Sequence, residues 1–190
     1  MLDVSSSPVA QRVFRTVGES PAAERIAGAQ EALYRPLLDW AVRSPLHTDR
    51  LGHSVHPPLT DVTLGCWLGA SVLDALGGPG GQRSAALLVA SGLAASGPTA
   101  LAGAGDWATM SGSDRRIGAV HALGTDVATF FFVGSLVARL RGRHATGARL
   151  AVAGHVAMAG AGLLGGHLAL VRGTANRSAP DRRESGSAPA

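Results

Sequence analysis

The chain has 190 residues, of which 46% are hydrophobic and only 16% charged, with a net charge of +4. Soluble domains carry roughly 25% charged residues, so the composition argues against one, and with aromatics at 4% the apolar mass is Ala, Leu, Val and Gly. Every basic residue is an arginine placed between apolar runs or near the ends, without interleaved aromatics, which argues against a nucleic-acid surface.

Cys66 is the lone cysteine. It excludes an internal disulfide, a covalently attached c-type haem and an iron–sulfur site on this chain, and its apolar surroundings suit a small core residue.

Residues 1–50 form an N-terminal polar and amphipathic segment. The start lacks the long apolar stretch of a signal peptide, and residues 1–18 read as polar and loosely attached. A helix is predicted from Ser20, a plausible N-cap, with Pro21 at its first position. Ile26, Leu33, Leu37 and Trp40 recur on one side and Glu24, Arg25, Glu31 and Arg35 elsewhere, with Pro36 as a kink. Such an arginine-bearing helix lies in the membrane interface or packs on the end of a bundle.

Four apolar runs follow, at about 58–76, 84–105, 117–138 and 150–171. The first, at 1.5 Å per residue, reaches roughly 28 Å, enough for the hydrocarbon core. The Gly-Pro-rich stretch 77–81 is a tight turn, and Pro98 interrupts the second run. The tail from residue 174 is Ser, Pro, Ala and Arg, the composition of a disordered segment. The fold class is therefore all-α: an integral membrane four-helix bundle over 51–173 with an N-terminal amphipathic helix. Four spans put both termini on one side. That side carries Arg43, Arg50, Arg115, Arg116, Arg172, Arg177, Arg182 and Arg183, against Arg83, Arg139, Arg141, Arg143 and Arg149 on the other. The excess favours termini in the cytoplasm of a multi-pass cell-membrane protein.

The same topology gathers polar residues at the face carrying the termini. The first span brings His53, His56 and Asp61, the second Asp106 and Trp107, the third His121, and the fourth His167. Asp61 shares a stripe with Gly65 and Gly69, which predicts that it faces another helix. An ionised Asp facing lipid would cost about 2.5–3.5 kcal/mol. His155 falls nearer the opposite face, with Asp74 and Arg83 as neighbours, and Asp126 lies deeper in the third span. His47 and His144 read as surface loop residues, and Trp67 as a packing residue. Neutral imidazoles from separate helices are how a bundle holds b-type haem or a metal ion, which makes His56, His121 and His167 candidate iron ligands with His53 as substitute. Asp61 and Asp106 would orient imidazoles or accept protons. Two other classes fit the same residues. One is a non-catalytic membrane anchor whose histidines hold the helices together. The other is a small proton-linked transporter using Asp61, Asp126 and His155. The motifs of soluble enzymes are missing: P-loop, nucleophile elbow, H-E-x-x-H and dinucleotide fingerprint.

The stretches GHSVHPPLTDVTLGCWLGASVLD, PTALAGAGDW, RIGAVHALG and GLLGGHLALVRG together resemble a bacterial four-helix membrane family, domain of unknown function 2231. The likeness covers residues 51–173. Members read G-H-P-x-H-P at the start, where this chain has Ser54 for the first proline, and often Asn near Asp126. The pattern matches at His53, His56, Asp61, Trp67, Asp74, Asp106, Trp107, His121, Gly165, Gly166 and His167. Some relatives join the unit to a Rieske iron–sulfur domain. The resemblance thus implies electron transfer near the membrane, with the iron–sulfur partner on another polypeptide. Small-residue stripes also leave room for a homo-oligomer.

Overall fold

The computed structural model describes residues 7–48 and 50–176. It is built of helices: α1 (Pro8–Glu19), α2 (Pro21–Arg43), α3 (His56–Leu76), α4 (Gly78–Ala108), α5 (Gly112–Leu140) and α6 (His144–Gly166), the last running on into a π-helical turn, His167–Val171. The helices α3, α4 and α5, and α6 with its π-helical turn, are 21 to 31 residues long with a mean hydropathy of 1.3 to 1.5, each long and apolar enough to cross a bilayer. Their outward faces carry large apolar side chains such as Leu87, Phe130 and Val156, all more than half exposed. A surface that apolar on four long helices has lipid as its solvent. This is an all-α, multi-pass membrane protein.

The spans run longer than hydropathy alone marks them. Polar residues join at the ends, where a helix of 31 residues outreaches a hydrocarbon layer of about 30 Å. The expected turn at 77–81 shrinks to Gly77, with α4 opening at Gly78, whose φ is +53°; Gly142, with φ +71°, lies in the α5–α6 connection. The expected loose start is instead helix α1 from Pro8, whose Phe14 is buried. α2 runs on through Pro36. Ser20 caps it as expected, its Oγ accepting from the amides of Ala22 and Ala23. The tail is ordered as far as Asn176: Ala175 O accepts from the Ser54 amide at 2.8 Å, and Asn176 bridges His53. The rest of the expected disordered tail lies outside the described residues.

α3 packs on α4 and α5 on α6 as two hairpins; α2 lies across α4 and α5, and α1 against α5. The hairpins repeat each other. H-x-x-x-T-D-V occurs at 56–62 and again at 121–127, an offset of 65 residues. Gly92, Thr99 and Gly103 on α4 have the spacing of Gly154, Ala161 and Gly165 on α6, an offset of 62. Both hairpins start on the same membrane side, so the pseudo-two-fold axis runs along the membrane normal. Near such an axis equivalent residues meet each other. Three pairs do so: His56 with His121, Trp67 with Phe132, and Asp74 with Arg139.

The middle pair is the core. Trp67 and Phe132, both fully buried, stack with ring centroids 3.9 Å apart and planes 10° apart. Gly92 lies against the Trp67 ring and Gly154 against Phe132, where a Cβ would come within 2.4 Å and 2.8 Å. Ala70, Ala85, Val89 and Ala151 complete this cluster. Roughly 10 Å further along the axis, Arg139 donates Nη1 to Asp74 Oδ1 at 2.8 Å and Nε to Ser135 Oγ at 3.1 Å, and Ser135 Oγ donates to Gly147 O at 2.7 Å. That network ties α3, α5 and α6 at the face opposite the termini. Pro98 cannot donate to Ala94 O, and on either side of that carbonyl the Ser96 and Thr99 hydroxyls donate to Leu93 O and Ala95 O.

Candidate functional site

The third axial pair, His56 and His121, lies about 16 Å from the aromatic stack by helix rise, toward the face that carries α1 and α2. His56 opens α3 behind an N-terminal latch. Ser54 Oγ accepts from the His56 amide at 3.0 Å and donates to Asp106 Oδ2 on α4. Pro57 and Pro58 suit a first turn whose amides lack helical partners. His121 lies nine residues into α5. Each ring is held in the same way by its hairpin partner. His56 Nδ1–H donates to Thr99 O on α4 at 2.9 Å, and His121 Nδ1–H donates to Ala161 O on α6 at 2.8 Å. Four residues on, a glycine lies under the ring: Gly103 for His56 and Gly165 for His121, where an added Cβ would fall 2.8 Å and 2.7 Å from the imidazole. The Pro98 break comes one residue before the carbonyl that holds His56.

The two rings stand edge to face, centroids 6.2 Å apart and planes at 85°. A carbonyl can only accept, so both Nδ1 atoms carry a proton, and in a neutral ring Nε2 presents the lone pair. Neither Nε2 has a hydrogen-bond partner among the described residues. Two fixed, half-buried, basic nitrogens at one end of a membrane bundle can ligate a metal or accept a proton.

The other predicted site residues are placed elsewhere. His167 stacks on Phe14 of α1, with centroids 3.8 Å apart, and its Nδ1 is buried without a hydrogen-bond partner among the described residues. It opens the π-helical turn, where Arg172 N donates to His167 O at 3.0 Å and the Arg172 side chain pairs with Asp114. α1, unforeseen as a helix, draws that ring away from the pair. His53 is exposed and donates Nδ1–H to Ser54 O at 2.9 Å. Asp106 takes the Ser54 hydroxyl, and backbone carbonyls rather than carboxylates hold the two imidazoles at Nδ1. Asp61 is the clearest reversal. It is exposed together with Gly65 and has no hydrogen bond or ion pair among the described residues. Asp61 and Gly65 turn outward because the ring side of α3, roughly 140° from Asp61 around the helix, faces the axis, while Gly69 meets Leu88 of α4. Asp126, its equivalent in the second hairpin, is half-buried and likewise unpaired among the described residues. His155 bonds Ser71 through Nε2 at 2.9 Å and meets Phe132 edge-on, while Asp74 is taken by Arg139. His47 packs against Gly105, and His144 begins α6 with Nδ1 buried, so neither is a plain surface residue. Among the described residues no group of three or more His, Cys, Asp or Glu could hold a metal ion. Of the three candidate histidines the fold brings His56 and His121 together, and His167 stacks on Phe14 instead.

What the residue-by-residue reading missed was the repeat. H-x-x-x-T-D-V is legible twice, and aligning the copies pairs His56 with His121 and leaves His167 opposite Gly105. No family model, no curated protein and no solved structure matches the chain. The family resemblance rests on the quoted motifs alone.

Proposed function

We propose that this protein is a membrane electron-transfer subunit whose His56 and His121 hold a redox metal centre, haem b being the candidate. The observation that carries the reading is the paired anchoring of the two rings. Each Nδ1–H is committed to a backbone carbonyl across its own hairpin, the outer-shell arrangement that fixes a ligand imidazole's tautomer and direction. The ring centroids are 6.2 Å apart, and the two Nε2 atoms are the ones that would hold a metal there. Gly103 and Gly165 keep the space beside each ring clear of a Cβ. Haem in such a site supplies one-electron chemistry. The chain's part is to orient both ligands and to hold α3 in place through the Ser54–Asp106 latch. The family resemblance supports an iron–sulfur partner on a separate polypeptide. The arginine excess supports termini in the cytoplasm.

One observation favours a second reading, a non-catalytic membrane anchor. The same two hydrogen bonds stitch α3 to α4 and α5 to α6, which is a structural role in itself. Oxidised and dithionite-reduced absorption spectra of the detergent-purified protein, from cells supplied with iron and haem precursor, separate the two. The redox reading predicts a Soret band that sharpens on reduction. A featureless spectrum with no metal by elemental analysis leaves the anchor.

A further inference from the structure

The helix α2 lies across the ends of α4 and α5, and its partners show which way it is rolled. From Glu24 to Val42, roughly 27 Å of helix rise, the residues it meets stay at one level. They are Arg115, Arg116 and Ala119 of α5, with Trp107 and Ala108 of α4. Gln30 and Glu31 are neighbours in sequence but sit roughly 100° apart around the helix. Glu31 pairs with Arg115, near the start of α5, whereas Gln30 Nε2 donates to Ala119 O at 3.2 Å. Ala119 is roughly 6 Å further into the span than Arg115. Turning α2 from Glu31 across its buried side to Gln30 therefore moves from the outer end of the bundle toward the hydrocarbon.

Three flanks follow in that order. Glu24, Glu31, Arg35 and Asp39 make an exposed edge of mixed charge. Ala23, Ala27, Leu38 and Ala41 are buried against the bundle. Beyond Gln30 in the same sense, by roughly 20–80°, come Leu37, Leu33 and Trp40, which are 42%, 71% and 52% exposed. This apolar edge is on the deeper side of α2 and continues the lipid-facing surface of the spans. A tryptophan at that level suits the boundary between headgroups and acyl chains, where an amphipathic ring finds both surroundings.

We propose that α2 is an in-plane helix seated in the bilayer interface, with the Leu33, Leu37 and Trp40 edge among the acyl chains and the Glu24, Arg35 and Asp39 edge in water. Its partner is the lipid surface, of either headgroup charge, because carboxylates and guanidiniums alternate along the polar edge. The helix thereby combines both predicted placements: it packs on the bundle end and lies in the interface. The seat also sets a height. His121 lies two residues past the carbonyl that Gln30 holds, so the His56–His121 pair sits at the headgroup–chain boundary whatever it binds.

The test is spin-label accessibility on the full chain in nanodiscs of phosphatidylcholine and phosphatidylglycerol, with single cysteines in a Cys66→Ser background. Labels at Leu33→Cys and Leu37→Cys should be relaxed more by oxygen, which concentrates among acyl chains, than by a water-soluble nickel chelate. Labels at Arg35→Cys and at Gly28→Cys, which has open space where its Cβ would be, should show the reverse. Since a label at an apolar position can unseat the helix, the second measurement leaves both leucines intact. Quenching of the protein's Trp fluorescence by chain-brominated lipids should fall in Trp40→Phe, and this result decides if the two measurements disagree. Chelate-dominated relaxation at all four positions, with no effect of Trp40→Phe, would put α2 in water and overturn the proposal. Protection of positions 33 and 37 from both reagents would overturn it too, because protein rather than lipid would then cover that edge.

Discussion

At the residue scale the site depends on what is absent under two rings. A methyl group at position 103 or 165 would enter the space of His56 or His121. Gly103→Ala and Gly165→Ala should each cost about 1–3 kcal/mol through overpacking and rotate the imidazole off its carbonyl. The measurement is the Soret intensity per protein against the midpoint of unfolding in detergent, and the spectrum should fall further than the stability loss explains. The Asp74–Arg139 pair makes a different prediction. Arg139 is 3% exposed, so Asp74→Ala strands a buried guanidinium and should cost about 3–5 kcal/mol. Replacing both partners by Leu and Met should restore most of that in the same unfolding assay.

The element scale shows how far the sequence could be read. The four spans were legible because apolar runs near 20 residues have few other uses. Their ends were not, because Arg139 and Asp106 belong to the helices yet score against them in hydropathy. The convergence of His56 and His121 followed from topology alone. The displacement of His167 did not, since it depends on Phe14 in a helix whose polar sequence gave no sign of packing. Asp61 was misread for a related reason. A small-residue stripe marks a close approach only where a neighbouring helix is present, and the repeat sets the α3 ring side, not the glycine side, toward the axis. The aromatic stack is the element the hairpins share. Trp67→Ala should cost about 3–5 kcal/mol and weaken the hold of α3 on α5. By contrast, breaking the half-exposed Arg115–Glu31 contact with Glu31→Gln should change stability by no more than about 1 kcal/mol.

At the scale of the whole molecule the chain is two copies of one hairpin, with like residues meeting on a common axis. That arrangement explains why His56, Trp67 and Asp74 of α3 meet His121, Phe132 and Arg139 of α5, and why the second hairpin runs in the same sense as the first. It also fixes a topology that labelling can check. In a Cys66→Ser background, Thr109→Cys lies in the α4–α5 connection and Ala145→Cys near the α5–α6 turn, both exposed and at opposite ends. With the termini in the cytoplasm, a membrane-impermeant maleimide should label Ala145→Cys on intact cells and Thr109→Cys only after permeabilisation. The reverse pattern would place the His pair on the outer side.

The most direct measurement on the central claim is the reduced-minus-oxidised spectrum of four single variants prepared side by side: His56→Ala, His121→Ala, His167→Ala and His53→Ala. The paired-imidazole account predicts that the first two lose the absorption band while the last two keep it. A band that survives His56→Ala and His121→Ala, or one that disappears with His167→Ala, would contradict it.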